Sequence, residues 1–167
     1  MFPPDQVLLV LDALQRGGWR VWLDGGWGVD ALLGEVTRPH DDVDIVVELE
    51  ALPAVLDALT TLGFSVTENL APVRVVLHTS DGLQVDIHPV TFTEDGTGRQ
   101  RGAAPDGSDC PYPAGGFGEG RILDRVVPCL TPELQLEHHG GYAPRDRDRL
   151  DMARLASRFG LSLREPY

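Results

Sequence analysis

A chain of 167 residues, 42% hydrophobic and 24% charged, is long enough to bury a core and lies far from the composition of a disordered tail. Its 26 acidic and 14 basic residues give a net charge of -12, the wrong sign for a protein lying along a nucleic-acid duplex, and with no Lys at all any phosphate clamp must use Arg or backbone amides. Two cysteines, Cys110 and Cys129, lack metal-ligand spacing, and no apolar run approaches the ~20 residues of a bilayer span, so a reducing cytoplasm is expected. The opening Met1-Phe2-Pro3-Pro4-Asp5 carries no basic segment, and no secretory leader is expected.

Val7, Leu8, Leu11 and Leu14 recur at helical spacing and predict a helix from Asp5 to Arg16, stopped by Gly17-Gly18. Arg20 to Asp24 reads as a short strand closed by Gly25-Gly26, and Trp27 to Leu33 as a helix of about two turns. After the polar turn Thr37 to Asp41, Asp42-Val43-Asp44-Ile45-Val46-Val47 predicts a strand, and Leu52, Val55, Leu56, Leu59 and Leu62 one face of a helix ending at Gly63. Val73 to His78 and Leu83 to Val90, separated by Thr79-Ser80-Asp81-Gly82, predict an antiparallel hairpin and hence a mixed sheet.

From Thr93 to Gly120 the chain is rich in Gly and Pro and almost without periodicity, which predicts a flap or a partly disordered excursion. Order resumes at Arg121 to Pro128. Thr131-Pro132 then cap a helix over Glu133 to His139, ended by Gly140-Gly141. Asp146 to Phe159 predicts the last helix, with Leu150, Ala153, Leu155 and Ala156 as its core residues and Gly160 as its stop. No repeat or linker interrupts the chain, so residues 1–167 read as a single domain with an excursion at 93–120.

Three carboxylates stand out against this pattern. Asp42 and Asp44 leave the same face of one strand, and Asp86 sits within another. A carboxylate flanked by Val and Ile is costly unless paired, and Mg²⁺, which takes one or two carboxylates together with substrate phosphates, would resolve that cost. Acid-x-acid spacing recurs at Glu48/Glu50 and Asp146/Asp148, so spacing alone has little specificity. The context strengthens it: strand, Gly25-Gly26, short helix, a turn with Arg38 and His40, then the acidic strand. A competing dinucleotide fingerprint, Gly26-x-Gly28-x-x-Ala31 with Glu48 about 20 residues on, occupies the same place. The short helix and the later hairpin weigh against it.

The segments Trp22-Leu23-Asp24-Gly25-Gly26-Trp27-Gly28-Val29-Asp30, Thr37-Arg38-Pro39-His40-Asp41-Asp42-Val43-Asp44 and Val85-Asp86-Ile87-His88-Pro89 resemble the lincosamide nucleotidyltransferases, small members of the DNA polymerase beta-like nucleotidyltransferase superfamily. The resemblance continues through Val127-Pro128-Cys129-Leu130, Gln135-Leu136 and Gly141-Tyr142 to Asp148 and Asp151. The aminoglycoside nucleotidyltransferases share the first two segments and match the third less well. Gly25-Gly26-Trp27 stands where many superfamily members carry Gly-Ser.

The resemblance implies an α/β (α+β) nucleotidyltransferase fold: a mixed sheet carrying the three carboxylates, helices packed on one side, and the C-terminal helices closing the cleft. It implies that Asp42 and Asp44 hold two catalytic Mg²⁺ ions, with Asp86 a third metal ligand or the general base. Gly25, Gly26, Trp27 and Arg38 would contact the triphosphate of ATP or another nucleoside triphosphate, and His40, His88 and Tyr142 the acceptor. His138-His139 have no companion at zinc-ligand spacing. Arg147 and Arg149 are expected to pair on the surface with Asp146, Asp148 and Asp151. The reaction implied moves AMP onto a hydroxyl of a small-molecule antibiotic, a lincosamide first and an aminoglycoside second, since a strongly acidic chain suits a polycation. Nucleic acid and membrane are not expected partners. A homodimer is a candidate assembly because related enzymes can build the acceptor site across subunits. The non-enzymatic alternative is a nucleotide-binding or antitoxin-like module with vestigial carboxylates.

Overall fold

A computed structural model describes residues 1–140, 143–163 and 167. The chain runs α1 (Pro4–Arg16), β1 (Val21–Asp24), α2 (Gly25–Leu33), β2 (Asp42–Glu48), α3 (Leu52–Thr61), β3 (Ser65–Leu70), β4 (Arg74–His78), β5 (Gln84–Phe92), β6 (Gly98–Gln100), β7 (Cys110–Tyr112), β8 (Phe117–Ile122), β9 (Arg125–Leu130), α4 (Pro132–His139) and α5 (Asp146–Phe159). The main sheet has the order β3-β4-β5-β2-β1-β9-β8, and β6 joins β5 to β7 beside it. The β2/β5 and β1/β9 pairs are parallel and the others antiparallel, so the sheet is mixed as expected.

Strand alternation divides the sheet chemically. One face presents Leu23, Val43, Ile45, Val47, Val75, Leu77, Val85 and Ile87 to Val7, Leu11 and Leu14 of α1, Val55 and Leu59 of α3 and Trp27 of α2, all buried in one apolar cluster. The intervening residues, Asp24, Asp42, Asp44, Asp86 and His88 among them, emerge on the other face. A dry core therefore lies behind the acids and fixes the strands that carry them.

Several expectations are corrected. Residues 93–120, expected as a flap or a partly disordered excursion, contain β6, β7 and the start of β8. Tyr112 is buried with Val46, Val90, Leu130 and Leu134, and Phe117 packs 4.6 Å from Trp22 and 5.4 Å from Phe92 between ring centroids. Isolated aromatics anchor this stretch, and a periodicity test does not register them. The edge strand β3, all of whose residues are exposed, escapes sequence reading because backbone pairing to β4 defines it and no face is buried. On α5 the buried face comprises Asp148, Asp151, Met152, Leu155 and Ala156, while Leu150 is 58% exposed and Ala153 is also exposed. An apolar-only rule rotates that stripe, because two of its members are carboxylates. The competing dinucleotide fingerprint is excluded, in agreement with the weight against it: β1 and β2 pair antiparallel and Gly26 and Gly28 lie within α2, so these residues form no βαβ unit.

Candidate active site

Asp24, Asp44 and Asp86 stand side by side on three adjacent strands, since Asp24 is in register with Asp44 across β1/β2 and Asp44 with Asp86 across β2/β5. Asp42 lies two residues before Asp44 on the same face. Helix α2 begins directly after Asp24, whose carboxylate caps it by accepting from the Gly25 N–H at 2.7 Å. Gly25 has φ +55°, and a Cβ there would overlap the Asp44 carboxylate; a Cβ on Gly26 would overlap His40 and Arg38. Gly25 thus lets the start of a helix lie against the acidic strand and Gly26 against the turn before it, and a helix start favours an anion through the backbone N–H groups beyond Gly25.

The carboxylates have unequal surroundings. Asp86, 6% exposed, accepts from Arg74 Nη2 at 2.6 Å and from Gln84 Nε2 at 2.9 Å. Asp44 Oδ1 lies 3.3 Å from His88 Nε2. Asp42 takes part in none of the ion pairs found among the described residues, and its pKa is raised by burial first and then by the charges of Asp44 and Asp86. At His88 burial opposes the charged ring, but the contact with Asp44 and the charges of Asp44, Asp24 and Asp86 outweigh it and raise the pKa. No three His, Cys, Asp or Glu side chains among the described residues form a ready-made metal cage.

These groups line a cleft of about 590 Å³. On one side stand Gly25, Gly26 and Arg38 with Arg145 and Arg147 at the start of α5; on the other are Arg74, Gln84, Gln100, Cys110 and Tyr112 from β4 to β7. His138 and His139 of α4 complete it, so both C-terminal helices border the cleft as expected. Burial pushes the Cys110 thiol up to about 11, so it stays protonated.

Of the residues singled out from sequence, Asp42, Asp44, Asp86, Gly25, Gly26, Arg38 and His88 meet at this cleft. Arg38 also pairs with Asp151, Nε at 2.9 Å and Nη2 at 2.7 Å, which ties the turn before β2 to α5. Trp27 and His40 do not line the cleft. Trp27 is 1% exposed in the core with its ring 4.7 Å from that of His40, and His40 Nε2 lies 2.6 Å from Asp30 Oδ2 behind α2. Tyr142 falls outside the described residues. The expected surface pairing on α5 is also corrected: Asp148 and Asp151 are buried, Asp148 pairs with Arg145 and Asp151 with Arg38, and Arg147 reaches Asp41 at 3.8 Å. Sequence reasoning missed Asp24, Arg74 and Gln100. Asp24 stood just before the glycine pair and could have been found, whereas Arg74 and Gln100 reach the site only through strand pairing.

The family model described as Aminoglycoside-2''-adenylyltransferase matches residues 6–155. The chain belongs to this family. It is 33% identical over 152 residues to a lincosamide resistance protein of Staphylococcus haemolyticus, covering 91% of this chain and 93% of that one. It is 34% identical over 134 residues to a 2''-aminoglycoside nucleotidyltransferase of Klebsiella pneumoniae, covering 80% and 71%. The crystal structure of a lincomycin-bound lincosamide antibiotic adenylyltransferase superposes with a TM-score of 0.81 at 32% identity, covering 92% of this chain and 96% of that one. The nucleotidyltransferase fold and reaction class anticipated from the motifs are those of this adenylyltransferase family.

Proposed function

We propose that this protein transfers AMP from ATP to a hydroxyl of a small-molecule antibiotic, with a lincosamide as acceptor, and that residues 1–167 act as one nucleotidyltransferase unit. The observation that carries the reading is the in-register row Asp24, Asp44 and Asp86 against the glycine-started helix α2.

The donor set fits Mg²⁺. Asp42 and Asp44 present oxygen ligands on one strand face, Asp42 joins none of the ion pairs among the described residues and, of their cations, feels only the charge of Arg147, and Mg²⁺ needs no complete protein cage because substrate phosphates and water supply its remaining ligands. Asp42 and Asp44 would hold the ions, with Asp86 as a third ligand or the general base. When bound, Mg²⁺ supplies Lewis acidity at the α-phosphoryl group and at the leaving pyrophosphate.

The chain's own groups account for the rest. The amides at the start of α2 and the guanidinium of Arg38 receive the triphosphate. The acceptor hydroxyl oxygen bonds to the α-phosphorus as the bond to pyrophosphate breaks, and its proton passes to a carboxylate within the row. Each Asp86 oxygen already accepts one hydrogen bond, from Arg74 or from Gln84, and keeps a second lone pair for a proton or a metal ion.

The walls from β4 to β7 favour a lincosamide over an aminoglycoside. Arg74, Gln84, Gln100 and Tyr112 are cationic or neutral, and Arg74 faces both Asp86 and Glu68, so this wall offers more to a polyol than to a polycation. The net charge of -12 favours the aminoglycoside reading only through long-range attraction. The test is incubation with Mg-ATP and a panel of lincosamides and aminoglycosides, read by mass spectrometry. One added AMP on a lincosamide, lost in Asp44→Asn, is expected; AMP added only to aminoglycosides replaces the acceptor, and no adduct overturns the reading.

A further inference from the structure

Gln100 makes three contacts that leave its amide one orientation. Its Nε2 donates to the Val73 carbonyl oxygen at 2.7 Å and lies 3.1 Å from His88 Nδ1, while its Oε1 accepts from the Tyr112 hydroxyl at 3.0 Å. Turning the amide over would set Oε1 against the Val73 carbonyl, two acceptors at hydrogen-bond distance. Gln100 therefore directs an N–H at His88 Nδ1. A ring nitrogen that faces a donor must be the bare one, and in a neutral imidazole the proton then resides on Nε2. That is the atom 3.3 Å from Asp44 Oδ1. Gln100 and Tyr112 are 5% and 1% exposed, so water offers little competition for these contacts.

We infer that Gln100 is a positioning residue that fixes His88 as its Nε2–H tautomer, so that His88 donates to Asp44 Oδ1 and leaves Oδ2, beside Gly25, as the oxygen that would serve a metal ion. The inference rests on the proposed reading of Asp44 as a metal-facing carboxylate. It gives the Gly- and Pro-rich stretch a part in the chemistry, because Gln100 and Tyr112 belong to β6 and β7 and Val73 lies just before β4. Partners that orient a metal's ligands typically change metal affinity or activity by about 10- to 100-fold when removed.

The test begins with the unsubstituted full chain, ¹⁵N-labelled and free of metal and nucleotide, at a pH high enough for the His88 ring, whose pKa lies above the ordinary value of about 6.5, to be neutral. Two-bond ¹H–¹⁵N correlation reads the tautomer, with the His88 signals assigned by their loss in His88→Asn. A protonated Nε2 and a bare Nδ1 are expected. A proton on Nδ1 overturns the inference, and this measurement depends on no variant of Gln100 folding. In Gln100→Leu the Nε2–H preference weakens and the Mg²⁺ concentration for half-maximal AMP transfer rises about 10- to 100-fold. Tyr112→Phe, which keeps the ring, shifts both in the same direction by less. A folded Gln100→Leu protein with the same tautomer, or with an unchanged Mg²⁺ requirement, also overturns the inference. An Nε2–H ring in a protein that transfers AMP to no acceptor supports the His88 relay and counts against the functional reading instead.

Discussion

Gly25 is where backbone conformation and chemistry meet. Its φ of +55° costs an L side chain about 1–2 kcal/mol, and a Cβ would overlap Asp44 Oδ2 as well. Gly25→Ala is expected to lower stability by at least that amount in urea titration and to abolish AMP transfer at temperatures where the variant is folded; a variant with normal turnover would show that the close approach is dispensable. Burial, and then the neighbouring charges of Asp44 and Asp86, disfavour the charged form of Asp42. Its folded pKa is raised, so its stabilising contribution is present at low pH and is lost as pH rises through the folded value. Asp42→Asn is therefore expected to raise the melting temperature of the metal-free protein near pH 7 while reducing transfer by more than about 100-fold, since under the proposed role a metal ligand matters at least as much as the groups that orient it. A lower melting temperature would mean that an unrecognised partner neutralises Asp42. Arg38 faces Asp151, whose side chain is 2% exposed, and Arg38→Ala leaves that carboxylate unpaired. The expected loss is about 3–5 kcal/mol by denaturant titration, and recovery in the Arg38→Ala/Asp151→Asn double variant would identify the stranded charge as its cause.

Among the elements, the β6–β7 excursion shows how a segment can look unstructured and still be anchored. Gly and Pro hide its strands, but Tyr112 enters a cluster with Val46, Val90, Leu130 and Leu134. Tyr112→Ala is expected to cost about 3–5 kcal/mol, as for other buried aromatic truncations, measured by calorimetry or urea. A loss below about 1 kcal/mol, the range of surface substitutions, would show that the segment is not fastened there. Elements with an apolar stripe, such as α1 and α3, were legible because burial follows the period of the helix. The face of α5 was not, because Asp151 occupies a buried position through Arg38, 113 residues away in sequence, and Asp148 through Arg145 at the helix cap.

Across the whole molecule, acid lability follows from carboxylates with fixed partners. Arg125 beside Asp12 holds that carboxyl below the usual range; at Asp148 burial pushes the other way but is outweighed by the backbone N–H and guanidinium of Arg145. Both contributions are present above the unfolded Asp value of about 3.9 and are lost as pH falls through the lower folded values. Asp148→Asn is expected to flatten the dependence of melting temperature on pH below about 4, and an unchanged slope would remove Asp148 from that account. Taken alone, the sequence determined the mixed sheet, most of the helices, the acidic strand and the family, because alternation, helical period and short motifs are local properties of neighbouring residues. It brought Asp42, Asp44 and Asp86 forward as a set. Only the tertiary structure decided that Asp24 joins their row, that Arg74 and Gln84 occupy Asp86, that Trp27 and His40 face the core, and that Gln100 reaches His88. Those facts depend on which strands pair and in what register, and that choice is made by the burial of the apolar face of the whole sheet against α1, α2 and α3.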